Sequence, residues 1–98
     1  MSQGNKSAPA REVLEHTLSL PCSYVLKVFG PAGPAFETRV MSAAEAVVSA
    51  DRVRCEGRRF TRSGDRVALT VVANVETVDE VIALYEDIAA CEGLITII

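Results

Sequence analysis

Along SYVLKVFG, residues 23–30, apolar side chains alternate with a period of two. Tyr24, Leu26 and Val28 share one side and Val25, Lys27 and Phe29 the other, which is the repeat of an extended strand. Both sets are mostly apolar, so this strand is expected near the middle of a sheet, ended by Gly30 and the PAGP run. In PAFETRVMSAAEAVVSA the spacing changes to that of a helix. Proline suits its first turn, where a missing N–H costs nothing, and Phe36, Val40, Ala43, Ala44 and Val47 form the inward stripe. Alternation returns in RVRCEGRRFT, where Val53 and Cys55 interleave with Arg54 and Glu56. It returns again in DRVALTVVANV, where Val67, Leu69, Val71 and Ala73 interleave with Ala68, Thr70 and Val72. Between them Ser63-Gly64-Asp65 reads as a tight hairpin turn. A second helix follows in TVDEVIALYEDIAAC, with Val78, Val81, Ile82, Tyr85 and Ile88 as its buried stripe. Thr77 and Glu80 are spaced as a capping box, and Gly93 is placed to stop the helix. LITII closes the chain as a last strand.

The order strand, helix, strand, strand, helix, strand predicts an α+β fold, the ferredoxin-like βαββαβ sandwich, with two helices on one face of an antiparallel sheet. The first strand and the strand from Asp65 carry apolar residues on both sides. Some of these must lie on the face the helices leave open, with Val25, Phe29, Ala68, Val72 and Ile95 or their neighbours as candidates. Such a face favours a homodimer or a heterologous protein partner. Residues 1–20 read as a flexible leader ahead of a single domain over 21–98. Within the leader, REVLEHTLSLP has Val13, Leu14, Leu18 and Leu20 spaced for a helical turn or for lying along the body.

Composition narrows the class. The chain has 98 residues, is 49% hydrophobic and carries a net charge of −3, a balance of globular rather than disordered chains. The negative charge argues against nonspecific nucleic-acid binding as the main task. Cys22, Cys55 and Cys91 are odd in number and form no CxxC pair, which points to reduced thiols and a cytoplasmic setting. No stretch has the run of about 18 apolar residues that a membrane-spanning helix needs.

With the elements placed, two segments carry a resemblance. LEHTLSLPCSYVLKVFG joins a short leader and a proline to a first strand of the form Tyr-x-x-Lys-Val-aromatic-Gly. SGDRVALTVVANVETVDEVIALYEDI continues it, with LYEDI, Leu84 to Ile88, as its most distinctive piece. From about Leu14 to Ile98 the chain resembles DUF493, also called UPF0250 or YbeD-like, a family of small bacterial proteins. The resemblance implies a ferredoxin-like fold similar to the ACT domains that regulate amino-acid enzymes. It implies no defined reaction, although some members lie near lipoate-attachment genes. Relatives often carry Ser-x-x-Gly-x-Tyr at the hairpin, and here Arg66 stands near the tyrosine position.

Candidate chemistry is sparse. His16, the one histidine, has no partners at ligand or catalytic spacing, and no nucleophile–base pair is legible around the cysteines. No catalytic residue, metal ligand or cofactor is therefore assigned. By likeness to ACT domains, the loop from Phe29 through Gly30, Ala32 and Gly33 is a candidate site for a small carboxylate ligand, near a helix start that favours anions. Pro31 and Pro34 remove two donors from it, and it matches no phosphate-loop pattern.

The segment RVRCEGRRFTRSGDR, Arg52 to Arg66, holds six of the ten basic residues. Arg52, Arg54 and Arg58 share a parity and Arg59 takes the other, unless a bulge at Gly57 changes the count. Arg52, Arg54, Arg58, Arg62 and Arg66 are the candidate partner-binding residues, with a solvated hairpin as the plainer alternative. An RNA-binding sheet would offer stacking aromatics on two central strands, and this segment has only Phe60. From Glu76 to Glu92 the second helix and its flanks contain six acids and no base, so the chain divides its charge. Together these features predict a non-enzymatic regulatory or protein-interaction domain. The alternatives are an ACT-type carboxylate sensor and, less favoured, a nucleic-acid binder using the basic hairpin.

Overall fold

The computed structural model describes residues 7–98; Met1–Lys6, the start of the expected leader, lie outside them. The order is α1 (Arg11–Thr17), β1 (Cys22–Pro31), α2 (Pro34–Val48), a 3₁₀ turn (Ala50–Arg52), β2 (Val53–Phe60), β3 (Arg66–Val75), α3 (Val78–Ala89) and β4 (Thr96–Ile97). The sheet runs β2-β3-β1-β4, with each neighbouring pair antiparallel. This is the ferredoxin-like arrangement that the order of elements predicted.

The two doubly apolar strands, β1 and β3, are the central pair, in register from Cys22↔Val75 to Pro31↔Arg66. Leu26, Val28, Leu69, Val71 and Ala73 point toward the helices and are fully or almost fully buried. Phe36, Val40, Ala44 and Val48 of α2 and Val78, Val81, Leu84, Tyr85 and Ile88 of α3 complete the core. The helical stripes thus differ slightly from expectation. Val48 and Leu84 are buried, while Val47, Ala43 and Ile82 sit at the core's margin. Tyr24 and Tyr85 meet edge to face, with their hydroxyls 3.0 Å apart. Burial and that bond push the Tyr85 hydroxyl pKa upward.

α1 occupies part of the stretch expected as a leader. Its Leu14 is buried, Leu18 and Leu20 pack against the core, and Arg11 pairs with Asp79 of α3 at 2.5 Å. At the start of α3, Thr77 Oγ1 accepts the Glu80 N–H at 3.1 Å as the capping box requires. Glu80 Oε1 accepts the Glu76 N–H at 2.7 Å and Arg52 at 2.8 Å, and the Thr77 N–H also helps hold the Glu80 pKa down, as the reciprocal half of the box. The last ladder is longer than β4 itself: Ile95 N–H reaches Phe29 O, and Lys27 and Ile98 exchange both backbone bonds.

Gly30 positions the first helix on the sheet. A methyl group there would lie 2.2–2.6 Å from three carbons of the Phe36 ring, so the absence of a side chain lets α2 settle against β1. Gly33 then turns the chain at φ +125° into Pro34, the first residue of α2.

Candidate functional site: the open face of the sheet

All helices with a core stripe lie on one side, and the register defines the other. The open face carries Ser23, Val25, Lys27 and Phe29 from β1 against Asn74, Val72, Thr70 and Ala68 from β3, with Arg66 continuing the β3 row. Of the candidates for that face, Val25, Phe29, Ala68 and Val72 lie on it. Val25 and Ile98 are 51% and 57% exposed, a large exposure for apolar residues of a sheet. Ile98, bonded to Lys27, joins this face, whereas Ile95 borders it beyond Phe29.

The arginines of the basic segment do not all lie on one side of the sheet. A bulge between Cys55 and Gly57 shifts the register, so that Cys55 faces Val71 but Gly57 faces Thr70. The extra residue reverses the alternation for the rest of β2. Arg58 consequently pairs with Leu69 in the register and turns to the helical side, where its guanidinium grips both oxygens of Glu37 at 2.5 and 2.6 Å. Arg59 pairs with Ala68 and turns to the open face. The expectation that Arg52, Arg54 and Arg58 project together is corrected by this bulge.

Each of those three has an acid of its own. Arg52 binds Glu80 at 2.8 Å and Arg54 binds Glu56 at 2.7 Å. The bond from Arg58 holds the Glu37 carboxyl below its ordinary pKa. At Glu80 burial pushes upward, but bonds from the Glu76 N–H and Arg52 prevail and the pKa is lowered. Arg62 and Arg66 of the expected set, together with Lys27 and Arg59, form no ion pair among the described residues. Arg66 adds its charge to the bonds from Ser63 and Thr61 that lower the pKa of Asp65 in the turn.

Two grooves bring three of these cations, Lys27, Arg59 and Arg66, together. One, of about 550 Å³, is lined by Lys27, Phe29, Gly57, Arg58, Arg59, Ala68, Thr70 and Ile98. The other, of about 370 Å³, adds Arg66, Phe60 and Ile95. They share Phe29, Arg59 and Ala68, and no acidic side chain lines either. Lys27 Nζ is tethered to Thr70 Oγ1 at 2.8 Å. Lys27 and Arg59 were not among the candidate residues. A glycine inside a strand beside a charged pair is the sequence signal of the bulge that exposes Arg59.

Of the loop residues named for a carboxylate, Phe29 and Gly30 both line the 370 Å³ groove, Phe29 from the open face and Gly30 packed against Phe36. The Ala32 N–H is taken by Asp65 O at 3.0 Å, and Gly33 lies by a separate cavity with Glu37 and Phe60. His16 is exposed on α1. The three cysteines are free thiols, and burial raises the Cys91 pKa. Among the described residues no group of three or more His, Cys, Asp or Glu could hold a metal, and no helix is long and apolar enough to cross a membrane.

A ferredoxin-like α+β domain with one sheet face left free of helices among the described residues is the class defined by this geometry. The chain belongs to the family described as "Protein of unknown function (DUF493)", which matches residues 15–98. It is similar to a UPF0250 protein of Shewanella woodyi, at 29% identity over 80 residues covering 82% of this chain and 89% of that protein. No solved structure matches it.

Proposed function

We propose that this chain is a non-enzymatic interaction domain of the cytoplasm that works through the open face of its sheet. The observation that carries the reading is the composition of that face: exposed Val25 and Ile98 beside Lys27, Arg59 and Arg66, with no acid lining the grooves between them. Apolar surface mixed with unpaired cations gains from a partner that covers the first and neutralises the second.

A heterologous partner fits better than a face-to-face homodimer. A two-fold axis would bring this face against its own copy, setting cations toward cations. Edge pairing through β2 is opposed by its bulge and its arginines. Nucleic acid fits less well, since among the open-face positions of β1 and β3 only Phe29 is aromatic, and base stacking needs more. A carboxylate sensor at the β1–α2 loop has less support, because the Ala32 N–H is already bonded and Gly30 is packed.

Affinity capture from the source cell tests the reading, comparing the wild type with Val25→Asp and with Glu86→Lys on the helical side. A protein retained by wild type and Glu86→Lys but lost with Val25→Asp is the expected result. Retention by Val25→Asp, with loss on Glu86→Lys, would move the working surface to the helices.

A further inference from the structure

We propose that the paired grooves take an acidic, partly apolar segment of a partner protein, its carboxylates meeting Lys27, Arg59 and Arg66 and its apolar side chains lying on Phe29, Ala68 and Ile98. This inference rests on the reading of the open face as the contact surface and adds the chemistry of the occupant. Charge complementarity is its main support. The net charge of the chain is −3, yet the two grooves contain cations and no acid. Most acids near them are engaged: Glu37 by Arg58 and Glu56 by Arg54. An incoming carboxylate therefore meets guanidinium and ammonium groups that need not first break an internal pair.

Shape separates a protein segment from the rival occupants. Small ligands bind where a concave pocket covers most of their surface, whereas these grooves are open along their length. The exposed apolar residues also extend beyond the two grooves, to Val25. The joined grooves cross four strands, a span of roughly 14 Å at the usual strand spacing, enough for about four extended residues. A second copy of the chain carries its acidic helix α3 on the opposite side, so placing it here would be a head-to-tail contact that does not close on itself without a ring.

Gly57 supplies a clean perturbation. A Cβ there would meet Thr70 at 3.9 and 4.0 Å, ordinary contact, so Gly57→Leu fills the groove floor without altering charge. The test pans a random twelve-residue display library on the immobilised full chain. It then measures selected peptides against wild type, Gly57→Leu, Lys27→Glu/Arg59→Glu and Val25→Ser, with melting curves confirming that each variant folds. The expected result is enrichment of Asp and Glu alternating with apolar residues. Binding should weaken on the order of tenfold or more with the charge reversals and also weaken with Gly57→Leu. Peptides without excess acid that are still lost with Val25→Ser would overturn the acidic occupant while leaving the open face as the contact surface. Peptides indifferent to all the variants would overturn both. Hexanoate shifting the Phe29 and Ala68 amides at sub-millimolar concentration, with no peptide enriched, would replace the segment by a small carboxylate. A wild-type dimer that dissociates on charge reversal would replace it by a second copy.

Discussion

Replacing Gly30 by alanine isolates the contact that seats α2 on the sheet. Gly30 has no positive φ, so alanine meets no backbone penalty, and the whole effect comes from the methyl group. That methyl would overlap three ring carbons of Phe36. The nearest of them would sit at 2.2 Å, so to reach ordinary contact the ring must withdraw by more than about 1 Å, in a core packed like a crystal. Phe36 is only 2% exposed, so it has nowhere to retreat without opening the α2 interface. Overpacking costs typically ~1–3 kcal/mol, and losing a buried phenylalanine's contacts outright costs ~3–5 kcal/mol. Gly30→Ala should fall between them, at about 3 kcal/mol, or about 12–24 °C in melting temperature for a domain of this size. Urea unfolding followed by circular dichroism gives the value directly. The double variant Gly30→Ala/Phe36→Leu should recover part of the loss, because the smaller side chain vacates the space, making the pair non-additive. A single variant within about 1 kcal/mol of wild type, or a double variant worse than the sum of the singles, would refute the reasoning.

Acid sensitivity follows from the carboxylates. The folded pKa of Glu37 and Glu80 lies below the ordinary 4.5, and that of Asp51 and Asp65 below 3.8. Each therefore contributes stability that is present above its ordinary value and is lost as pH falls through the depressed one. Unfolding free energy should be flat with respect to these four above about pH 5.5 and decline below about 4.5. Glu80→Gln should be less stable than wild type at neutral pH, with the gap closing in acid; a constant gap would contradict the assignment. At Cys91, burial pushes the thiol pKa up while Arg39 pulls against it, so alkylation by iodoacetamide near pH 7.5 should be slower than for an unstructured cysteine peptide. Peptide mass spectrometry resolves the site, and labelling of Cys91 as fast as the peptide would count against that burial.

The fold was legible because its signals are local and agree. The two-residue period of β1 and β3, the proline at the start of α2 and the threonine cap of α3 each point to the same topology. The two alternating sets of the central strands were legible for the same reason, but which set faced the helices was not: the pairing of β1 with β3 puts Val25, Phe29, Ala68 and Val72 on the open side, and Ile95 only borders it. What escaped was everything that depends on distant parts of the chain. Parity counting assigns Arg58 a side, but the bulge at residues 55–57 reverses it, and only the pairing with β3 reveals that. Arg58 and Glu37 are 21 residues apart and Arg52 and Glu80 are 28 apart, so no spacing rule connects them. Without those pairings six arginines looked like one basic stretch. With them the cations without an ion pair among the described residues reduce to Arg59, Arg62 and Arg66 of the segment, and Lys27 of β1 adds to them.

The most direct measurement is photocrosslinking inside the source cell. A photoreactive amino acid is placed at Val25, at Ile98 or, as a control on the outer side of α3, at Glu86. The open-face account predicts a discrete adduct at positions 25 and 98, of a mass other than twice that of the chain, and none at 86. Adducts at 86 with positions 25 and 98 remaining free would contradict it.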